Sequence, residues 1–78
     1  MTLGEAVAAR IMDLCKEKGI SINKLAVLSG LTQSTVDGIL KGRSKNPQLA
    51  TLLRISRGLD ISIAEFLDDV RINDAETD

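Results

Sequence analysis

Residues 32–35 read Thr-Gln-Ser-Thr, and residues 41–46 read Lys-Gly-Arg-Ser-Lys-Asn. The first run sets one amide among three hydroxyls; the second is basic and rich in small polar groups. An amide can pair with both hydrogen-bonding positions of an adenine edge, and a hydroxyl can serve several bases. Lysine and arginine on a polar loop suit phosphate oxygens. This chemistry is recognition rather than bond-making. The chain has no histidine, a single cysteine and isolated glycines. That excludes a Ser/His/Asp or Cys/His nucleophile, a Cys/His zinc site and a glycine-rich phosphate loop. Asp68 and Asp69 are adjacent, point different ways on a helix, and are expected to be solvated rather than paired for acid–base work. No enzyme activity, cofactor or metal is expected.

These groups have to be held by helices. Val7, Ile11, Leu14 and Cys15 follow the i, i+4, i+7, i+8 rule, which predicts a first helix from about Leu3 to Lys18, closed by Gly19. Cys15 lies on the apolar face and is expected to be a buried structural thiol. Three later helix starts share one grammar: Ile20-Ser21 before Leu25, Leu31-Thr32 before Val36, and Ile61-Ser62 before Phe66. Each sets a Ser or Thr at the N-cap between two apolar residues that staple the entering chain, and each cap contributes about 0.5–2 kcal/mol. Ser62 and Glu65 also have the spacing of a capping box. The caps predict helices over 22–29, 33–41 and 63–70. Another, starting between Pro47 and Leu49 and running to about Leu59, should bury Leu49, Leu52, Leu53 and Ser56. The result is an all-α fold of five short helices over residues 1–70, followed by an acidic, frayed and disordered tail over residues 71–78.

Composition agrees with one small domain. The chain has 78 residues and is 44% hydrophobic, nearly all aliphatic, with Phe66 the only aromatic. Without Trp or Tyr, single strands cannot be held on stacking platforms. No apolar run approaches a bilayer span and no leader pattern opens the chain, so a cytoplasmic location and no membrane contact are expected. The net charge of −1 conceals a split. Lys41, Arg43, Lys45, Arg54 and Arg57 share residues 41–57 with no acid, whereas residues 60–78 hold seven acids against Arg71 alone. Such segregation gives a local positive field despite the total. Arg54 and Arg57 are expected to be solvated or paired with acids.

On a wheel of residues 33–41, Val36, Ile39 and Leu40 share one face, while Gln33, Ser34, Asp37, Gly38 and Lys41 share the other. Inserted N-terminus first into a major groove, this helix would present its amide and hydroxyls to base edges. The preceding helix offers small Ala26 for close approach and Gly30 for a tight turn, with Leu31 at the corner. That is a helix-turn-helix made by helices 2 and 3.

The stretch LAVLSGLTQSTVDGILKGRSKNPQLATLLRISRGLDISIAEFL resembles the phage Cro/repressor type of helix-turn-helix domain, also called the xenobiotic-response-element family. The resemblance covers roughly residues 5–70. Its most specific parts are LA-x3-G-L-T-Q-S-T, G-x3-NP and LLRISRGLDIS-x2-EFL. It implies a lambda-repressor-like fold that binds specific double-stranded DNA, usually as a homodimer, to regulate transcription, and most often to repress it. By the same resemblance, Gln33, Ser34, Asp37 and Gly38 take base-reading positions. Ser21, Thr32, Thr35, Lys41, Arg43, Ser44, Lys45 and Asn46 take positions that contact the DNA backbone. Gly38 brings no side chain to its position, Asp37 would repel phosphate, and Ile22 stands where many relatives carry a polar backbone contact. Ile61, Ile63, Val70 and Ile72 are candidates for a dimer surface. The charge split leaves a second reading open: a protein–protein module, such as the antitoxin of a toxin–antitoxin pair, docking a partner through the acidic C-terminal segment.

Overall fold

A computed structural model describes residues 1–42 and 46–77. The expectations for Arg43, Ser44, Lys45 and Asp78 lie outside these residues. The described residues form an all-helical fold: α1 (Leu3–Lys18), α2 (Ile22–Ser29), α3 (Gln33–Leu40), α4 (Leu49–Gly58), α5 (Ile63–Leu67) and α6 (Val70–Asn73). None of these helices is long and apolar enough to cross a membrane.

The caps do what their side chains predict. The hydroxyls of Ser21, Thr32 and Ser62 accept from the backbone nitrogens of Lys24, Thr35 and Glu65 at 3.0, 3.1 and 3.0 Å. The stapled residues Leu25, Val36 and Phe66 are fully buried. Gly19 and Gly30 end α1 and α2 with φ of 65° and 66°, a left-handed turn that costs glycine little. The reciprocal capping box forms at Thr2 and Glu5, not at Ser62 and Glu65. The Glu5 backbone donates to the Thr2 hydroxyl at 3.2 Å, and the Glu5 carboxylate accepts from the Thr2 backbone at 2.8 Å, which lowers its pKa.

Val7 and Ile11 of α1, Leu25 and Ala26 of α2, Val36 and Ile39 of α3, Leu52 and Ile55 of α4 and Phe66 of α5 meet in one core. Each large side chain buried there contributes about 1.5–3 kcal/mol. Cys15 is buried among them, and burial pushes its thiol pKa up. Helix α2 packs on both α3 and α4, and α1 packs on α3 and α6. The α2–α4 crossing is tight. A Cβ on Gly58 would run into the Ser29 hydroxyl and come within 3.1 Å of the Ser29 nitrogen and 3.2 Å of the Leu28 carbonyl carbon.

Three features depart from the sequence-based expectation. The helix expected over 63–70 stops at Leu67, and α6 starts anew from an Asp69 N-cap, giving six helices among the described residues instead of five. Leu49 is 68% exposed rather than buried, because it opens α4 at the edge of the body. Asp69 is not solvated: its side chain is 10% exposed and is gripped by Arg71 at 2.8 and 3.0 Å. Arg71 also bonds Asp13 of α1 at 2.8 Å. Arg10 of α1 lies 3.9 Å from Asp69 and donates to the carbonyls of Glu65 and Phe66 at 2.7 and 2.9 Å. This arginine supplies donors to the last carbonyls of α5, of which that of Glu65 also accepts from the Asp68 nitrogen at 3.2 Å, so the helix can stop there. Beyond α6, Glu76 bonds through its backbone to Met1 and Leu3 at 3.1 and 3.2 Å, alongside the start of α1. Of the apolar residues suggested for a dimer surface, Ile61, Ile63 and Ile72 pack against the core, whereas Val70 is 70% exposed.

Candidate nucleic-acid interface

Helix α3 is positioned by its apolar side. Val36 and Ile39 are buried between α1 and α2, and Leu40 packs against the same core. A helix fixed on one side must present the other, and Gln33, Ser34 and Thr35 are all exposed. Asp37 and Gly38, one turn on, are half-buried. A Cβ on Gly38 would meet nothing within 4 Å, so this part of the face is open rather than packed. The Glu76 segment that bonds Met1 and Leu3 leaves the N-terminal edge of α3 uncovered.

Two side-chain pairs organise that edge. The hydroxyls of Thr32 and Thr35 lie 2.9 Å apart, and Thr32 also caps the helix by accepting from the Thr35 nitrogen. Gln33 Nε2 donates to Asp37 Oδ1 at 3.2 Å. The helix therefore begins with free N–H groups and a positive dipole end, framed by hydroxyls and a held amide. Such a terminus receives an anion well. Neither pair is evident from a list of outward residues, although the i, i+3 and i, i+4 spacings that permit them are.

The remaining predicted residues make no hydrogen bond to this edge among the described residues, and Lys41 caps the opposite end of α3. Ser21 is exposed at the start of α2, where its hydroxyl is engaged as the cap. Lys41 and Asn46 are exposed on either side of residues 43–45, which lie outside the described part. Ile22 is half-buried against the core, so no polar group stands in its place. Arg54 and Arg57 are exposed on α4. Arg57 lines one shallow depression with Asp60 and Glu65 at the α4–α5 turn, and no ion pair joins Arg54 or Arg57 to an acid among the described residues.

A model of the Cro/C1-type HTH DNA-binding domain matches residues 10–71. The chain belongs to the Cro/C1-type HTH DNA-binding domain family. This Cro/C1-type domain is 33% identical over 63 residues to the HTH-type transcriptional regulator SinR of Bacillus subtilis, a match spanning 81% of this chain and 57% of SinR. It is 40% identical over 53 residues to SlrR of the same organism, spanning 68% of this chain and 35% of SlrR. The chain thus spans only about a third to just over half of the length of these curated relatives. Among solved structures, prophage Lp1 protein 11 superposes with a TM-score of 0.81 at 38% identity, covering 92% of this chain and 95% of the other. The restriction-modification controller protein C.AhdI of Aeromonas hydrophila superposes with a TM-score of 0.72 at 35% identity, covering 81% and 94%. Helices α2 and α3, joined by the turn at Gly30, lie within the residues that match this family and form the helix-turn-helix.

Proposed function

We propose that the protein is a sequence-specific regulator of transcription that binds double-stranded DNA through α3, acting in the cytoplasm and most simply as a repressor. The observation that carries this reading is the division of α3: Val36 and Ile39 are clamped in the core while Gln33, Ser34 and Thr35 face solvent on the same short helix. The helix enters the major groove N-terminus first. Gln33 and Ser34 meet base edges, and Thr32, Thr35, Ser21, Lys41 and Asn46, with Arg43, Ser44 and Lys45, hold the flanking backbone. The named relatives are themselves transcriptional regulators or a controller protein, which supports the same reading.

Two copies bind two half-sites. The described residues measure 31 × 23 × 21 Å. Two such bodies side by side can set their α3 helices about 34 Å apart, one turn of duplex. Selection of bound sites from a random duplex library, at stated salt, tests the assignment. The expected motif is a pair of related half-sites. Gln33→Ala weakens binding by about 1–3 kcal/mol and relaxes one base position in each half. An unchanged motif in Gln33→Ala would remove Gln33 from the reading role.

A further inference from the structure

Asp37 is an awkward residue for a surface that meets phosphates, because its charge repels them. Lys41 lies one turn further along α3, at the spacing of a helical ion pair. Yet the bond that Asp37 makes runs the other way, from Gln33 Nε2 to Asp37 Oδ1 at 3.2 Å. Asp37 is half-buried and Gln33 exposed, so the carboxylate is the more fixed partner.

A glutamine amide carries two N–H donors and one acceptor oxygen. The amide of an unrestrained glutamine turns over freely, which exchanges its donor and acceptor positions. The Asp37 carboxylate forbids that exchange, since turning the amide would set Gln33 Oε1 against Oδ1, acceptor against acceptor. One N–H is thus spent on Asp37, while the second N–H and Oε1 remain for a partner in a single orientation. The major-groove edge of adenine is an acceptor beside a donor, and that of guanine is two acceptors. A fixed donor–acceptor amide matches the first and opposes one oxygen to another on the second.

We propose that Asp37 is a positioning residue that locks the Gln33 amide, so that α3 selects adenine over guanine at the base Gln33 meets. This rests on the DNA-reading role of α3 proposed above, and it assigns Asp37 to Gln33 rather than to a base of its own.

The experiment compares wild type, Asp37→Ala, Asp37→Asn and Gln33→Ala in duplex-library selection, followed by titration of the selected duplex and its adenine-to-guanine variant at the Gln33 column. Asparagine drops the charge, and its own amide can present either Oδ1 or Nδ2, so it satisfies the Gln33 amide in both orientations and does not lock it. Both Asp37 variants are expected to bind random duplex more tightly than wild type, because a repelling charge is gone. Asp37→Ala should lose about tenfold of the adenine preference, and only at the column that Gln33→Ala also relaxes. Asp37→Asn, whose amide can turn over with that of Gln33, should lose the preference at the same column. In the free protein, the side-chain amide resonances of Gln33 should move in both Asp37 variants, and melting curves should show all three variants folded. The proposal is overturned if either Asp37 variant keeps the full preference at that column, or if Asp37→Ala relaxes a different column, which would make Asp37 a base reader. Should wild type retain no duplex at low salt, the role of α3 fails first and the proposal with it.

Discussion

Two glycines inside helices give opposite forecasts. Gly38 lies within α3 and Gly58 ends α4. On propensity alone, alanine at either position is worth about 0.5–1 kcal/mol. At Gly38 nothing lies within 4 Å of the added methyl, so the full gain is expected in the free protein. At Gly58 the methyl meets the backbone of α2, with Ser29 N at 3.1 Å and Leu28 C at 3.2 Å as well as the Ser29 hydroxyl. The hydroxyl can rotate away, but two backbone atoms cannot. Parting α2 from α4 costs about 1–3 kcal/mol, as other overpacked contacts do. The net for Gly58→Ala is a loss of about 1 kcal/mol or somewhat more, against a gain of about 0.5–1 kcal/mol for Gly38→Ala. For a domain of this size each 1 kcal/mol shifts the midpoint by about 4–8 °C. Thermal melts by circular dichroism should therefore place Gly38→Ala above wild type and Gly58→Ala below it. A Gly58→Ala variant as stable as wild type would show that the α2–α4 crossing has slack, and would refute the steric argument.

Further outcomes follow from the charges and the backbone. Arg71 holds the Asp69 carboxyl at about 2, below its ordinary 3.8, so its contribution is full above about pH 4 and drains away as pH falls towards about 2. Tempered by water at its rim, it is worth about 1–2 kcal/mol, and urea midpoints should fall less steeply with acid in Asp69→Asn than in wild type. Identical acid sensitivity in the two would show that the grip on Asp69 contributes nothing. Asp60 takes a left-handed φ of 60°, and Asp60→Gly should raise the melting midpoint by relieving about 0.5–1 kcal/mol of strain; a drop would mean its carboxylate matters more than its backbone. Lys41→Ala should weaken binding to all duplexes alike and flatten the salt slope by about one unit, whereas a sequence-selective loss would place Lys41 on a base.

The parts of this fold that were legible in the sequence are those governed by neighbours. Ser21, Thr32 and Ser62 each announce a helix start because cap and staple lie within five residues of one another. The division of α3 into Val36/Ile39 and Gln33/Ser34 sides follows from helical periodicity alone. What escaped depends on residues far apart. Nothing near Leu67 says that α5 ends there; Arg10, more than fifty positions earlier, satisfies its carbonyls. Asp69 has its main partner, Arg71, only two positions on, but its enclosure waits on Arg10 and Asp13, brought across from α1. Leu49 follows the apolar pattern of α4 but opens the helix where no neighbour covers it. At the interface, the spacing of Gln33 and Asp37 permits a bond but equally permits Asp37 to turn towards Lys41, and only the folded surface chooses.

The Arg10 clamp and the Met1–Glu76 strap join the two ends of the chain across loops of more than fifty residues. Closing such long loops is entropically dear, so these links form after the nearer contacts of α2, α3 and α4 have already gathered. Interactions absent when the barrier is crossed do not hurry assembly; they delay escape. Those two links thus act as a latch that sets how long the domain lasts once built, not how quickly it is made.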